Sequence, residues 1–207
     1  MGTDKALLSF GGKTLLEYVI DRVRQGIGGG QIVVVASPYQ ELPPPEVFGE
    51  DVEILRDAEA FAGPVAGLAR AFAWLEDSVP GCWAFVSGCD TPGLKPGLVR
   101  YLGANRPQDK DVVLPEVGGY GQPLSACYQV RKCIALLNKM ETKNSSLRSF
   151  TAQLDVWAIP ERDIRKWDSQ LQSFWNCHLP EDWEKWVALQ GGPEQIGGAF
   201  RPGSSQT

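Results

Sequence analysis

Histidine is nearly absent from this chain: one residue, His178, in 207. No cysteine or second histidine stands at ligand spacing around it, which weighs against a zinc site. No G-x-S-x-G elbow exists to present a serine, so a Ser-His-Asp triad is not expected. No apolar run approaches the roughly 20 residues a membrane span needs, and the first residues lack a signal-peptide pattern. Lys/Arg runs are missing too. Twenty basic against twenty-five acidic side chains give a net charge of −5, so no nucleic-acid footprint is expected. The five cysteines are odd in number and form no C-x-x-C pair, so they read as reduced thiols of a cytoplasmic protein.

With 43% hydrophobic and 22% charged residues, the chain can bury a sizeable core. One domain is expected over 1–190, followed by a disordered tail over 191–207, which is Gly, Pro, Ser and Gln with little to bury. Residues 31–36 (QIVVVA), 83–87 (WAFVS) and 112–114 (VVL) are short apolar runs of the kind buried on both faces of a parallel sheet, and 52–55 (VEIL) is a weaker case. Between them lie helical periods. Leu15, Leu16, Val19, Ile20 and Val23 share a face, with Gly26 as a stop; Val65, Leu68, Ala69, Phe72 and Leu75 repeat the pattern. Later come a strand over 124–130, perceived as antiparallel, a helix through Met140, a strand over 156–159 and a last helix opened by Pro180 and ended by Gly191. Alternating strands and helices predict an α/β fold, a three-layer α/β/α sandwich around a mostly parallel, Rossmann-like sheet.

Two glycine motifs are decoys. Gly12-Lys13-Thr14 resembles the end of a P-loop, but Leu7 occupies the place of the leading glycine. The cluster at Gly26, Gly28, Gly29 and Gly30 precedes a strand instead of following one, so it reads as a turn.

In doubly wound sheets, ligands sit outside the carboxyl ends of the strands. Asp57 follows one strand at once, and Asp90 follows another within Gly88-Cys89-Asp90-Thr91-Pro92. Two carboxylates meeting there suit Mg²⁺, which takes one or two carboxylates plus substrate phosphates. Helix capping is the competing reading for both. Lys5, at the start of an apolar stretch, could face a triphosphate. Gly63-Pro64-Val65-Ala66-Gly67 opens a helix whose amides could meet a base or phosphate, or whose small residues could serve close packing.

Taken in order, Met1-Gly2-Thr3-Asp4-Lys5-Ala6-Leu7-Leu8, Leu55-Arg56-Asp57, Gly63-Pro64-Val65-Ala66-Gly67, Cys89-Asp90-Thr91-Pro92, Gly121-Gln122-Pro123-Leu124 and the Asn176-to-Asp182 segment resemble the molybdenum cofactor guanylyltransferase family. The resemblance implies a nucleotide-diphospho-sugar-transferase-like fold. It also implies transfer of GMP from GTP to molybdopterin, with loss of pyrophosphate and Mg²⁺ as cofactor. By position, Lys5 and Asp90 would be catalytic, with Lys5, Asp57, Gly63, Pro64, Gly67 and Asp90 on the nucleotide, Asp90 on the metal, and Gln122 and Asn176 on the pterin side. Partner proteins that deliver molybdopterin or accept the product are also implied. Family members begin with a strand and a glycine-rich loop ahead of the Met-Gly; here that strand and loop are expected to be missing. Val35 stands where the guanylyl branch often has asparagine, and His178-Leu179 where it has Asn-Thr. A CTP- or sugar-phosphate-using transferase, and a non-catalytic homologue that binds molybdopterin or a partner, are the alternatives. The tryptophans at 157, 167, 175, 183 and 186 read as packing for the last helix, or else as a partner interface.

Overall fold

The computed structural model describes residues 5–10, 12–57, 59, 63–142, 145–177 and 180–189. A short 3₁₀ turn (Lys5–Leu7) and a two-residue hairpin, β1 (Ser9–Phe10) with β2 (Lys13–Thr14), lead into α1 (Leu15–Ile27). Thr14 starts that helix through a capping box: its hydroxyl accepts from the Glu17 amide, and the Glu17 carboxylate accepts from the Thr14 amide. Lys13 pairs with Asp21 on the surface. The P-loop-like residues therefore build a helix start, in keeping with the rejection of that motif.

α1 runs on past Gly26 and closes at Gly28, whose φ of 73° supplies the left-handed cap. Gly26 is no stop. It lies within α1, and a Cβ there would stand 2.4 Å from Val99 Cβ, so its role is close approach to another helix. That helix, α3 (Pro96–Ala104), had no counterpart in the periodicity reading.

β3 (Ile32–Ala36) and β4 (Val52–Arg56) pair in parallel, Ile32 opposite Val52 through Ala36 opposite Arg56. Beyond them α2 (Pro64–Ser78) crosses over to β5 (Trp83–Ser87), and α3 follows. The chain continues through β6 (Val112–Val117), β7 (Tyr120–Gly121), β8 (Ser125–Gln129), α4 (Val130–Leu137), α5 (Leu147–Thr151), β9 (Val156–Pro160), α6 (Glu161–Ile164) and α7 (Pro180–Leu189). β8 inserts between β5 and β6, antiparallel to both, while β9 runs parallel to β6 on its far side and β7 folds back on β6. The fold is α/β as expected, with β8 making the sheet mixed. The helix expected through Met140 ends at Leu137, and the termination expected at Gly191 and the tail over 191–207 lie outside the described residues.

Strand alternation sends side chains to two helical layers. Val112, Leu114, Ala126 and Tyr128 pack with Val65, Leu68 and Phe72 of α2, with Cys133 of α4 and with Phe150 of α5. Val113 and Cys127 face the other way, onto Leu98 and Leu102 of α3 and onto Ile159 and Ile164. Trp183 and Trp186 of α7 are buried against Leu15, with Tyr18 edge-on to both rings, so packing is what these two do. Trp157 and Trp167 are about half exposed.

β3 and β5 are not joined. Among the described residues each pairs on one side, with β4 and β8 respectively, and between them lies a cavity of about 930 Å³. Its walls are β3 (Ile32, Val33, Val34, Val35), all of β5, apolar residues of α1 and α3 on one face, and Leu68, Ala71, Phe72 and Leu75 of α2 on the other. β5 consequently has no fully buried residue, although helices flank it.

Arg24 ties the end of α1 to the approach to β4. Its guanidinium donates to both Asp51 oxygens at 2.7 Å and to the Phe48 carbonyl at 2.6 Å. The paired guanidinium holds the Asp51 carboxyl below its usual range. Stability from this pair is therefore complete above the ordinary aspartate value of about 3.9 and is lost as pH falls below it. Arg24→Ala should cost about 1 kcal/mol, since a third of each side chain still meets solvent and screening discounts the pair. Thermal melts from pH 7 to 3 should show a shallower acid loss in the variant than in the parent protein.

Candidate active site

The crossover from β4 through α2 brings β5 back in the direction of β4, so both strands end on the same edge of the sheet. Asp57 leaves the end of β4, its amide donating to the Ala36 carbonyl at 2.9 Å. It is half-buried and lines the cavity together with Gly63, Pro64 and Gly67 at the start of α2 and Ser87, Gly88 and Cys89 at the end of β5. The capping reading of the two aspartates fails. α2 is preceded by Gly63 and α3 by Lys95, neither with a side-chain cap, and each helix has proline at its first position. Asp57 and Asp90 are held by their strands' ends and leave both helix termini alone.

Gly63 has φ 91° and ψ 167°, a backbone state that favours glycine. It turns the chain so that the first amides of the fifteen-residue α2 open toward the cavity without an acidic residue in that turn. Those amides and the helix dipole suit an anion. A Cβ at Gly67 would meet nothing nearer than Val35 Cγ1 at 3.8 Å, so Gly67 leaves room beside Val35 more than it serves tight packing.

Asp90 sits in a tightly constructed turn. Thr91 donates its hydroxyl to the Gly88 carbonyl at 3.0 Å and lies 3.1 Å from the Ser87 hydroxyl. The Asp90 Oδ1 lies 2.6 Å from where a Gly88 Cβ would stand, so a side chain there would push the carboxylate aside. Cys89, beside it, is the exposed thiol of the five.

Two further segments close on this turn. The Gly88 amide donates to the Leu124 carbonyl at 3.4 Å, drawing in the loop that carries Gln122. That loop is pinned by the Gln122 amide on the Pro115 carbonyl at 2.8 Å and by the buried Tyr128 hydroxyl on the Pro123 carbonyl at 2.8 Å. From the other side, the Cys177 amide donates to the Asp90 carbonyl at 2.8 Å, which places Asn176 next to the turn with its side chain exposed. The 172–177 segment also braces Lys95, whose amide donates to Ser173 at 2.9 Å and whose Nζ reaches Gln172 at 2.6 Å. Gly93 makes that closeness feasible, since a Cβ there would lie 2.4 Å from the Gln172 carbonyl oxygen. No spacing in the sequence signals this brace across 78 residues.

Asp57, Gly63, Pro64, Gly67, Asp90, Gln122 and Asn176 thus converge on one edge. Lys5 begins the turn whose Ala6 is buried against Leu16 and Ile20 of α1. His178 and Leu179 lie outside the described residues. Among the described residues no group of three or more His, Cys, Asp or Glu could hold a metal ion by itself. The donor set fits an ion completed by substrate oxygens, as Mg²⁺ commonly is.

This architecture is that of nucleotidyltransferases. Molybdopterin-guanine dinucleotide biosynthesis protein A of Archaeoglobus fulgidus, 22% identical, superposes with a TM-score of 0.71 over 92% of each chain. 4-Diphosphocytidyl-2C-methyl-D-erythritol synthase, 14% identical, does so at 0.66 over 90% of this chain and 94% of the other. The description "MobA-like NTP transferase domain" matches residues 1–157, and the chain belongs to that family. Its relatives include a molybdenum cofactor guanylyltransferase of Desulfosudis oleivorans, 28% identical over 89% of this chain and 86% of the relative. A probable molybdenum cofactor guanylyltransferase of Pyrococcus furiosus is 32% identical over 89% and 88% respectively.

Burial pushes the Asp57 carboxyl above its usual range, partly offset by Arg70. For an acid raised in the folded state, stability declines as pH climbs from the ordinary value of about 3.9 through the raised one. Asp57→Asn removes that penalty, so its melting temperature at pH 7 should equal or exceed that of the parent protein.

Proposed function

We propose that this protein transfers GMP from GTP to molybdopterin and releases pyrophosphate. The observation that carries the reading is the meeting of Asp57, the open start of α2, Asp90, the Gln122 loop and Asn176 on one sheet edge. The named relatives point to the same substrates.

In the reaction, an oxygen of the terminal phosphate of molybdopterin forms a bond to the α-phosphorus of GTP. The bond from that phosphorus to the bridging oxygen breaks, and pyrophosphate leaves with the electron pair. No covalent nucleophile is needed from the protein, and positioning with charge neutralisation supplies the rate. Gly63, Pro64 and Gly67 leave the α2 amides open to the nucleotide, with Asp57 beside them. Lys5 supplies a cation to the phosphates. Gln122 and Asn176, on the loops that flank the Asp90 turn, orient the pterin. Asp90 would hold Mg²⁺ together with substrate oxygens, and that ion would offset charge developing on the transferring and leaving phosphates.

The test is to incubate the purified protein with GTP, Mg²⁺ and molybdopterin and to measure pyrophosphate, with CTP as the control nucleotide. Release with GTP alone of the two is expected; release with CTP and not GTP would make it a cytidylyl enzyme, and equal release with both would overturn the guanylyl preference. GTP binding without any release would favour the non-catalytic reading. Asp90→Ala should lower the rate at least 10²-fold. Its melting temperature should stay within about 2 °C, because the backbone bond to Cys177 survives the substitution.

A further inference from the structure

We infer that Asp168 is a positioning residue for the pterin side of the site: from inside the protein it fixes the 172–177 segment, and with it Asn176. The inference rests on the transferase reading above. Asp168 is 3% exposed and is the one acidic or basic side chain buried among the described residues. A carboxylate taken out of water needs partners that offset its desolvation. Its Oδ2 accepts from the Ser173 amide at 2.7 Å. Ser173 is itself fully buried, and its hydroxyl accepts from the Lys95 amide at 2.9 Å, at the start of α3. Further along, the Cys177 amide donates to the Asp90 carbonyl at 2.8 Å. One carboxylate therefore anchors a stretch that touches both α3 and the Asp90 turn. Asn176 lies between the two anchors, with its side chain exposed.

The turn that Asp168 closes is one the chain would not adopt freely. Leu171 has φ 56°, a left-handed state uncommon for a bulky residue, and its amide donates to the Asp168 carbonyl at 3.1 Å. Loss of the carboxylate would leave the Ser173 amide buried without that acceptor, so the turn would relax and Asn176 would shift. The Asp90 turn would keep its place, because it has supports of its own. The Thr91 hydroxyl donates to the Gly88 carbonyl at 3.0 Å, and the Gly88 amide to the Leu124 carbonyl at 3.4 Å. Asp57 and the start of α2 belong to a different strand end and crossover. The consequence is selective: molybdopterin binding suffers while GTP binding does not. A side chain that only stabilised the fold would affect the two substrates alike.

The test compares Asp168→Ala, Asp168→Asn and Ser173→Ala with the parent protein by pyrophosphate release and by amide hydrogen exchange. Asp168→Ala should raise KM for molybdopterin about tenfold and leave KM for GTP within about twofold, since a misplacement of about 1 Å can cost up to about 10²-fold. Ser173→Ala, the smaller change, should move the molybdopterin KM in the same direction and carries the test if Asp168→Ala does not fold. Asp168→Asn keeps an oxygen for the Ser173 amide and should restore the parent KM. The Lys95 and Cys177 amides bond to Ser173 and Asp90, not to Asp168, yet their exchange should quicken about tenfold in Asp168→Ala, with Gly88 unchanged. The inference is overturned by unchanged exchange at Lys95 and Cys177, by an unchanged molybdopterin KM, by equal rises in both KM values, or by Asp168→Asn behaving as Asp168→Ala does. A parent protein that releases no pyrophosphate would instead overturn the transferase reading, and exchange would then decide by itself whether Asp168 holds the segment.

Discussion

The packing of helices across the middle of the sheet is the constraint on which the rest depends. Among the described residues β3 pairs with β4 and β5 with β8, and α1, α2 and α3 span the distance between the two pieces. Helix packing and an ion pair help hold the two pieces together. Gly26 lets α1 approach Val99 of α3, and Arg24 fixes α1 to the entry of β4. Those few contacts hold the rim that carries Asp57 in place relative to the rim that carries Asp90.

The rim is built mostly from backbone. Gly63 turns the chain away from β4, Gly88 makes space for the Asp90 carboxylate, and Gly93 admits the Gln172 carbonyl. Each glycine serves a different need: a positive φ at Gly63, and absent side-chain volume at the other two. Side chains that would do chemistry are therefore positioned by strand ends and by loops tied amide to carbonyl, an arrangement that orients charged groups before any substrate arrives.

Much of this was legible in the sequence, for identifiable reasons. The β-branched run in β3, the aromatic-rich β5 and the one-face periods of α1 and α2 are strong local signals, and each produced the element it promised. Asp57 and Asp90 stand out in the sequence because residues just past strand ends face the ligand side of such sheets, and the structure puts both just past the ends of β4 and β5. Reading α3 failed because Pro92, Gly93, Pro96 and Gly97 look like breakers, whereas Pro96 opens the helix and Gly97 accommodates Trp167 at 3.4 Å. Without α3 in view, Gly26 could only look like a stop. The antiparallel insertion of β8 and the brace from 172–177 are tertiary facts, fixed by partners far away in the chain, and no local pattern encodes them.

One consequence concerns the thiols. Burial pushes Cys127 and Cys133 up to about 12 and Cys177 up to about 11, and it raises the half-buried Cys82 as well, so at neutral pH these sulfurs stay protonated. Cys89 is the exposed one, and it stands at the lip where β5 ends beside Asp90. Nature has left an attachment point there for a maleimide dye, on the parent sequence and with no residue exchanged. Its emission would report directly on whatever enters the mouth beneath it.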